Sequence, residues 1–440
     1  MNRVVVVGGG WAGVAAAAAV RLAGGEVLLL ERTDMLLGTG LVGGIIRNNG
    51  RYTATEEHIA LGMGGLWRVI DGCRRHTGVR FPGHEHADLY DVSTIEPAVR
   101  RYLDHLGVEL LTECRVTGAE RTAGALTAVT AGDRRFEAAA FVETTGSFGP
   151  QGNCLRYGNG CAMCVMRCPT FGGRVSVAGV AGTAEQRAFR MDGSVGVMSG
   201  SCKLHKDSLA AGLRAELEEK GVAVVPLPPE LRKGEDMLGA KACQQYALPA
   251  FADNLVLLDT GHAKLMSPYF PLAELRRVPG LENARYEDPY AGGVGNSIRY
   301  LSMAPHGDDL QVEGLGNLFV GGEKTGPLVG HTEAVVSGSL AGLNAWRRAT
   351  GRPTVRLPET LAVGDALAQV GRVLRGGNLS RKLTFSGSWY FERMKELGLY
   401  TTNREDIGRR VAEAGLTDLF VDDAVADRAA GGQRATTTRT

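Results

Sequence analysis

Residues 4–7 are four consecutive valines, an apolar run that reads as a strand buried on both faces, as in a parallel sheet. Gly8-Gly9-Gly10-Trp11-Ala12-Gly13 follows at once, then an alanine-rich stretch that reads as a helix stopping near Gly24 and Gly25. A second apolar run at 27–30 closes on Glu31, so a β-α-β unit is expected. From 32 to 90 runs a long stretch of glycines with mixed polar residues. It reads as a surface loop with ordinary turns, or as a segment passing over a bound group with Arg47, Asn48 and Asn49 as candidate polar contacts. Ser93 and Glu96 then have capping-box spacing, ahead of a helix with Ile95, Val99, Tyr102, Leu103 and Leu106 on one side and Gly107 as its stop. A strand at 108–111 comes next, and short alternating runs at 126–129 and 136–142 predict an antiparallel meander.

The same grammar continues downstream. Asp207 or Ser208 is placed to cap a helix striped by Leu209, Leu213 and Leu217, ended by Gly221 and a strand at 222–225. PLPPELRKGED reads as a linker, and 255–258 as a further strand. A buried strand at 318–320 breaks into glycines before a helix that begins near His331. Small residues in that helix, among them Gly338 and Gly342, allow close approach to a sheet or a cofactor. After Pro353 the chain becomes helical and more charged, and 429–440 lacks large apolar residues, so a disordered tail is expected there.

Length changes the picture first, because 440 residues exceed one compact core. The 62 glycines, about twice the usual share, suit tight strand–helix junctions. A net charge of +1 gives no global bias toward nucleic acid. No apolar run approaches the ~20 residues of a membrane span, and the first strand starts at once with no leader before it. A soluble, cytoplasmic protein is expected.

The glycines carry the chemistry. In a G-x-G-x-x-G between strand and helix, Gly8 permits the turn, Gly10 lets backbone N–H groups near a pyrophosphate, and Gly13 lets the helix pack close. Trp11 and Ala12 open the helix whose positive end faces the phosphates, and Glu31, followed by Arg32, can accept from a ribose hydroxyl. The meander closing in Glu143-Thr144-Thr145-Gly146 is a second signature of FAD-binding folds, with Val116 beside the adenine and Thr145 and Gly146 passing the pyrophosphate. Gly43 and Gly44 read as close-approach glycines over the cofactor, or as ordinary loop turns. The turn Gly321-Gly322-Glu323-Lys324 and the helix start Gly330-His331-Thr332 aim N–H groups at something electron-rich, such as a flavin edge. Lys324 and His331 are candidate catalytic groups there, and Cys243 is a third, although a lone cysteine is more often buried filler.

Four of the eight cysteines lie within fifteen residues: Cys154, Cys161, Cys164 and Cys168, the last followed by Pro169. The C-x2-C-x3-C-P close matches a ferredoxin-type run, so a [4Fe–4S] cluster is expected. Zinc, a redox-active pair without metal, and a chance cluster are the alternatives.

The segments VPGLENARYEDPY and GLGNLFVGGEKTGPLVGHTEAVVSGSLAGLNAWRRATGR resemble the C-terminal FAD half of a tRNA-modifying flavoprotein family. That family holds the glucose-inhibited division protein A enzymes and the folate-dependent tRNA (uracil-5-)-methyltransferases. Gly321, Gly322, Gly326, Gly330, Glu333, Ala334, Gly342 and Asn344 fall on its pattern, which has Gly-Tyr-x-Glu-Ala where this chain has Gly330-His331-Thr332-Glu333-Ala334. LPETLAVGDALAQV looks like the methyltransferase branch, but residues 39–47, TGLVGGIIR, lack the cysteine that branch carries after its first unit. DMLLGTGLVGGI and YDVSTIEPAVRRYLDHLGVELL also look like broader FAD-dependent oxidoreductases found beside iron–sulfur partners.

The expected fold class is α/β: a two-dinucleotide-type, Rossmann-like FAD-binding domain with parallel sheet and meander, an inserted α+β domain and a C-terminal helical segment. The expected boundaries are 1–150 and 251–350 for the FAD domain, 151–250 for the insert with the cysteines, 351–428 for the helices and 429–440 for the tail. The expected function is FAD-dependent oxidoreduction coupled to the [4Fe–4S] centre. The alternatives are FAD- and folate-dependent modification of tRNA uridine, and a non-catalytic flavoprotein with structural zinc. Expected partners are a small-molecule or RNA substrate, with room for an electron-transfer protein and for a homodimer, and no membrane.

Overall fold

The computed structural model describes residues 2–146, 170–189, 193, 197–198, 202–232, 234, 246–266, 270–287, 298–299, 302–380 and 382–437. Its central sheet has five parallel strands in the order β5-β4-β1-β2-β3. These are β1 (Arg3–Val7), β2 (Glu26–Leu30), β3 (Glu109–Leu111), β4 (Ala140–Glu143) and β5 (Leu318–Val320). Val6 pairs with Leu29 on one side and Val142 on the other, so β1 is a central strand. Val4 and Val6 are buried in one apolar cluster and Val5 and Val7 in another, so the run is enclosed on both faces and needs no polar alternation.

Helix α1 (Trp11–Leu22) joins β1 to β2, and α2 (His331–Ala349) follows β5. The small residues of α2 bring it close both to α1 and to the turn after β5. Ser337 Oγ accepts from Gly322 N–H at 2.9 Å, and a Cβ on Gly321 would lie 3.0 Å from Gly338 Cα. A Cβ on Gly338 would lie 2.1 Å from the Ala12 carbonyl oxygen, and one on Gly342 2.3 Å from that of Ala16. Two helix backbones thus touch directly.

The meander forms from Gly118–Thr122, Ala125–Ala131 and Arg134–Glu137. Its last expected run divides, because residues 140–143 leave it and pair in parallel between β1 and β5. The insert carries an antiparallel sheet of Cys202–Leu204, Ala263–Leu265, Asn254–Asp259 and Val222–Pro226. Val222 to Pro226 pair with residues beyond 250, so the boundary expected at 250 cuts through one sheet. The proline-rich stretch is no linker over its described part, since Leu227 and Leu231 are buried in the insert core with Leu217 and Leu257. The helix there starts at Ala211, after a short turn at Lys206–Ser208, so Leu209 precedes it.

Residues 32–90 form regular elements. Helices Gly50–His58 and Gly64–Gly72 flank a π turn, Ile59–Met63, and a hairpin of Arg74–Phe81 and His84–Tyr90 follows. The capping box does not form. Ser93 N–H donates to Asp91 at 2.8 Å, while Glu96 turns to the Leu36 N–H at 3.1 Å and to Arg100.

Helices Ala362–Gly376, Ser388–Glu396, Arg404–Glu413 and Asp423–Thr437 make the C-terminal region, the last running past the 428 boundary into the stretch expected as a tail. Glu57 docks the first of them, accepting from the N–H groups of Ala362 at 3.0 Å and Val363 at 2.9 Å. Burial pushes its carboxyl up to about 7, partly offset by those donors and Arg410. Among the described residues no helix is long and apolar enough to cross a membrane.

His58 yields a pH prediction. It is wholly buried, its Nδ1 accepts from Trp67 Nε1 at 3.0 Å, and Phe420 packs edge-on at 5.3 Å. Burial lowers its pKa from 6.5 to about 3. The unfolded chain therefore binds this proton more readily, and stability present above pH 6.5 is lost as pH falls toward 3. Between about pH 7 and about pH 4.5 this ring should cost about 2–3 kcal/mol of folding stability. Denaturant titrations should find that share of the acid sensitivity gone in His58→Gln. Equal pH sensitivity in both proteins would mean the ring is hydrated.

Candidate functional site

The site lies at the carboxyl edge of the central sheet. Gly8 has φ +105°, and a Cβ there would fall 2.5 Å from the Thr144 carbonyl oxygen. A Cβ on Gly13 would fall 1.8 Å from the Gly8 carbonyl oxygen, so β1, α1 and the end of β4 touch through backbone. Gly10 differs: nothing lies within 4 Å of its Cβ position. Helix α1 starts there with no side-chain cap and no acid in its first turn. An uncapped positive helix end beside open space suits a phosphate.

Seven of the expected residues line one cleft at this edge: Gly8, Gly10, Glu31, Arg32, Val116, Thr145 and Gly146. Glu31 is set by protein donors, accepting from Gly9 N–H at 2.7 Å and from the Thr33 N–H and hydroxyl at 2.9 Å. Thr145 donates to Glu143 at 2.7 Å. Arg32 donates to the Gly172 carbonyl at 2.5 Å and Arg115 to that of Gly173 at 2.8 Å, holding a strap whose Arg174 and Val175 also line the cleft. Sequence reasoning missed that strap, along with Thr33, Met35, Gly38, Thr39, Leu41, Cys114 and Arg115. Position beside Glu31 and Val116 was a signal for Thr33 and Arg115; nothing local marked Arg174.

The second glycine turn meets the first. Gly321 N–H donates to the Glu143 carbonyl at 3.0 Å, and a Cβ on Gly322 would lie 3.0 Å from that of Ala12. Glu323 is half-buried on this turn. At the start of α2, Gly330 packs against Arg51 and Glu333, and Thr332 is fully buried with a hydroxyl that meets no partner among the described residues.

Around Tyr90 a smaller group assembles. Its phenol donates to the Gly40 carbonyl at 2.7 Å, the Trp11 indole N–H donates to the phenol oxygen at 3.4 Å, and His331 Nδ1 lies 3.4 Å away. Gly43 is a close-approach glycine toward His331, where a Cβ would fall 1.6 Å from Cε1. Gly44 packs in the same way on Thr260.

Lys324 is placed otherwise than expected. Its fully buried ammonium contacts the Glu185 carboxylate, Ser176 Oγ at 3.0 Å and Glu143 at 3.6 Å. Glu143 also accepts from the N–H groups of Val177 and Ala178 at 2.9 and 2.7 Å. This lysine therefore ties the end of β4 to Glu185 and to Ser176, which caps the short helix Val177–Val180, and does not line the cleft. Cys154, Cys161, Cys164, Cys168 and Cys243 lie outside the described residues. Among the described ones no group of three or more His, Cys, Asp or Glu is arranged to hold a metal.

A family profile described as "Glucose inhibited division protein A" matches residues 3–224 and 259–353. The methylenetetrahydrofolate–tRNA-(uracil-5-)-methyltransferase TrmFO of Lactobacillus delbrueckii subsp. bulgaricus is 27% identical over 150 residues, 32% of this chain and 30% of that protein. TrmFO of Symbiobacterium thermophilum is 35% identical over 96 residues, covering 21% of this chain and 20% of its own. Each match thus spans under a third of the curated relative. Aquifex aeolicus GidA in its form II crystal superposes with a TM-score of 0.68 at 16% identity, over 96% of this chain and 74% of that one. Its form I crystal gives 0.60 at 15% identity, over 93% and 78%. The strand order, the paired glycine turns and a profile match over most of the sequence agree: the chain belongs to the glucose inhibited division protein A family.

Proposed function

We propose that this chain is an FAD-dependent oxidoreductase that modifies tRNA. One observation carries the reading: two glycine turns, some 310 residues apart in sequence, abut at one sheet edge beside a cleft with an uncapped helix end. Gly8, Gly10 and the start of α1 would hold the pyrophosphate, with Thr145 and Gly146 passing it, Glu31 the ribose, and Val116 the adenine. The turn at 321–322 and the start of α2, with buried Thr332, would face the isoalloxazine. Bound there, FAD supplies two-electron redox chemistry that side chains lack. The chain's own groups orient it and close the adenosine end through the Arg32 and Arg115 strap.

The TrmFO names supply the substrate class, a tRNA uridine with a folate one-carbon donor. Residues 39–47 hold no cysteine, so the proposed reaction keeps the redox role without a thiol in that loop. For Cys154, Cys161, Cys164 and Cys168 we propose an iron–sulfur centre on spacing alone.

Anaerobic purification tests these assignments together. The expected product is yellow-brown, with one FAD and four irons per chain, and binds bulk tRNA with an affinity that falls steeply with salt. Protein without flavin overturns the cofactor, zinc in place of iron overturns the cluster, and salt-independent or absent tRNA binding overturns the substrate class.

A further inference from the structure

The strap across the adenosine end of the cleft carries an arginine, Arg174, that lines the cleft together with Gly8, Gly10, Thr145 and Gly146. The backbone around it is held on both sides. Before it, the carbonyls of Gly172 and Gly173 accept from Arg32 and Arg115. After it, the N–H groups of Val177 and Ala178 donate to the carboxylate of Glu143, two residues ahead of Thr145 in the chain. Ser176 caps the short helix Val177–Val180, accepting from Gly179 N–H at 3.0 Å, and bonds Lys324. Each of these bonds forms without the Arg174 side chain. That side chain lies at Gly146: the glycine has φ +80°, and a Cβ on it would fall 3.5 Å from Arg174 Nη1 and 3.7 Å from Cζ.

Charge points to the ligand. Among the described residues that line the cleft, Glu31 is acidic and Arg32, Arg115 and Arg174 are cationic. Glu31 already accepts from Gly9 and Thr33. The cleft therefore holds an excess of positive charge beside the uncapped start of α1, where the Gly10 Cβ position is open. A diphosphate supplies the matching negative charge. A guanidinium fits phosphate oxygens with a planar fork, and its five N–H donors suffice for a protein partner and a phosphate together.

We propose that Arg174 is a further binding residue of this cleft, the strap's cation for the pyrophosphate of the bound dinucleotide, which α1 meets through backbone N–H groups. The inference deepens the flavin reading and rests on it for the flavin half of the ligand. The diphosphate half follows from the charge of the cleft itself.

The test titrates FAD, and separately ADP, into flavin-stripped full-length protein at rising ionic strength. Wild-type affinity for both should fall as salt screens the contact. Arg174→Gln should melt like the wild type, because the strap is held by other bonds, yet bind FAD and ADP each ~30-fold more weakly with a flatter salt dependence. Arg174→Lys, which keeps the charge and loses the fork, should fall between the two. Unchanged affinity and salt dependence in Arg174→Gln overturn the proposal, as does a weaker affinity whose salt dependence equals that of the wild type, since that marks a packing role. Wild-type protein that binds ADP but no flavin, with the same loss in Arg174→Gln, overturns the flavin reading and supports the pyrophosphate contact. Wild-type protein that binds neither overturns both.

Discussion

Gly10→Glu is expected to fold like the wild type and to lose flavin. Gly10 has φ −67° and ψ −179°, a conformation open to any residue, and its Cβ position meets nothing within 4 Å. A side chain there strains nothing. It fills the space beside the start of α1 and sets a carboxylate where the reading places a pyrophosphate. Opposed charge and lost volume together should weaken FAD binding at least ~100-fold, about 2.7 kcal/mol. Gly13→Val makes the contrast. Its Cβ would sit 1.8 Å from the Gly8 carbonyl oxygen, and neither α1 nor β1 can retreat without breaking the central sheet. That variant should melt far earlier or fail to fold, with or without FAD. Flavin titration and thermal melts of the two separate binding from packing, and Gly10→Glu that still binds FAD normally would remove α1 from the site.

The β-α-β unit, the meander and the two glycine turns were legible because each is a local pattern: buried strand, turn residue, amphipathic or small-residue helix. Residues 32–90 were not, for a physical reason. Helix Gly50–His58 buries Arg51, Thr53, Thr55, Glu57 and His58, so its enclosed face looks polar in sequence. Each charge is matched from far along the chain, Arg51 by Glu333 and Glu57 by the N–H groups at 362 and 363. Hydrophobic periodicity cannot report a face that is buried by pairing. Lys324 shows the converse. It stands in the glycine turn the sequence marks, but its side chain joins Glu143 and Glu185. Position in a motif gave its neighbourhood, not its direction.

Glu333 is where the long-range pairing converges, and Glu333→Gln should be the most damaging single change outside the backbone contacts. Its carboxylate accepts from Arg51 Nε at 3.0 Å, Thr384 Oγ1 at 2.7 Å and Phe385 N–H at 2.9 Å, all buried. Those bonds tie helix Gly50–His58, the start of α2 and the C-terminal segment at 384–385 into one cluster. Replacing the acid strands a buried guanidinium and brings an amide N–H group against other donors, at about 3–5 kcal/mol. Arg51→Met with Glu333→Leu removes both charges, and a buried pair exchanged for apolar groups is often near neutral. Denaturant titrations should therefore rank the double variant well above Glu333→Gln, a coupling that independent sites do not show. If the two single losses simply add in the double variant, the pair is no unit, and the C-terminal helices are held to α2 by apolar packing and by other polar ties such as Arg347–Asp427.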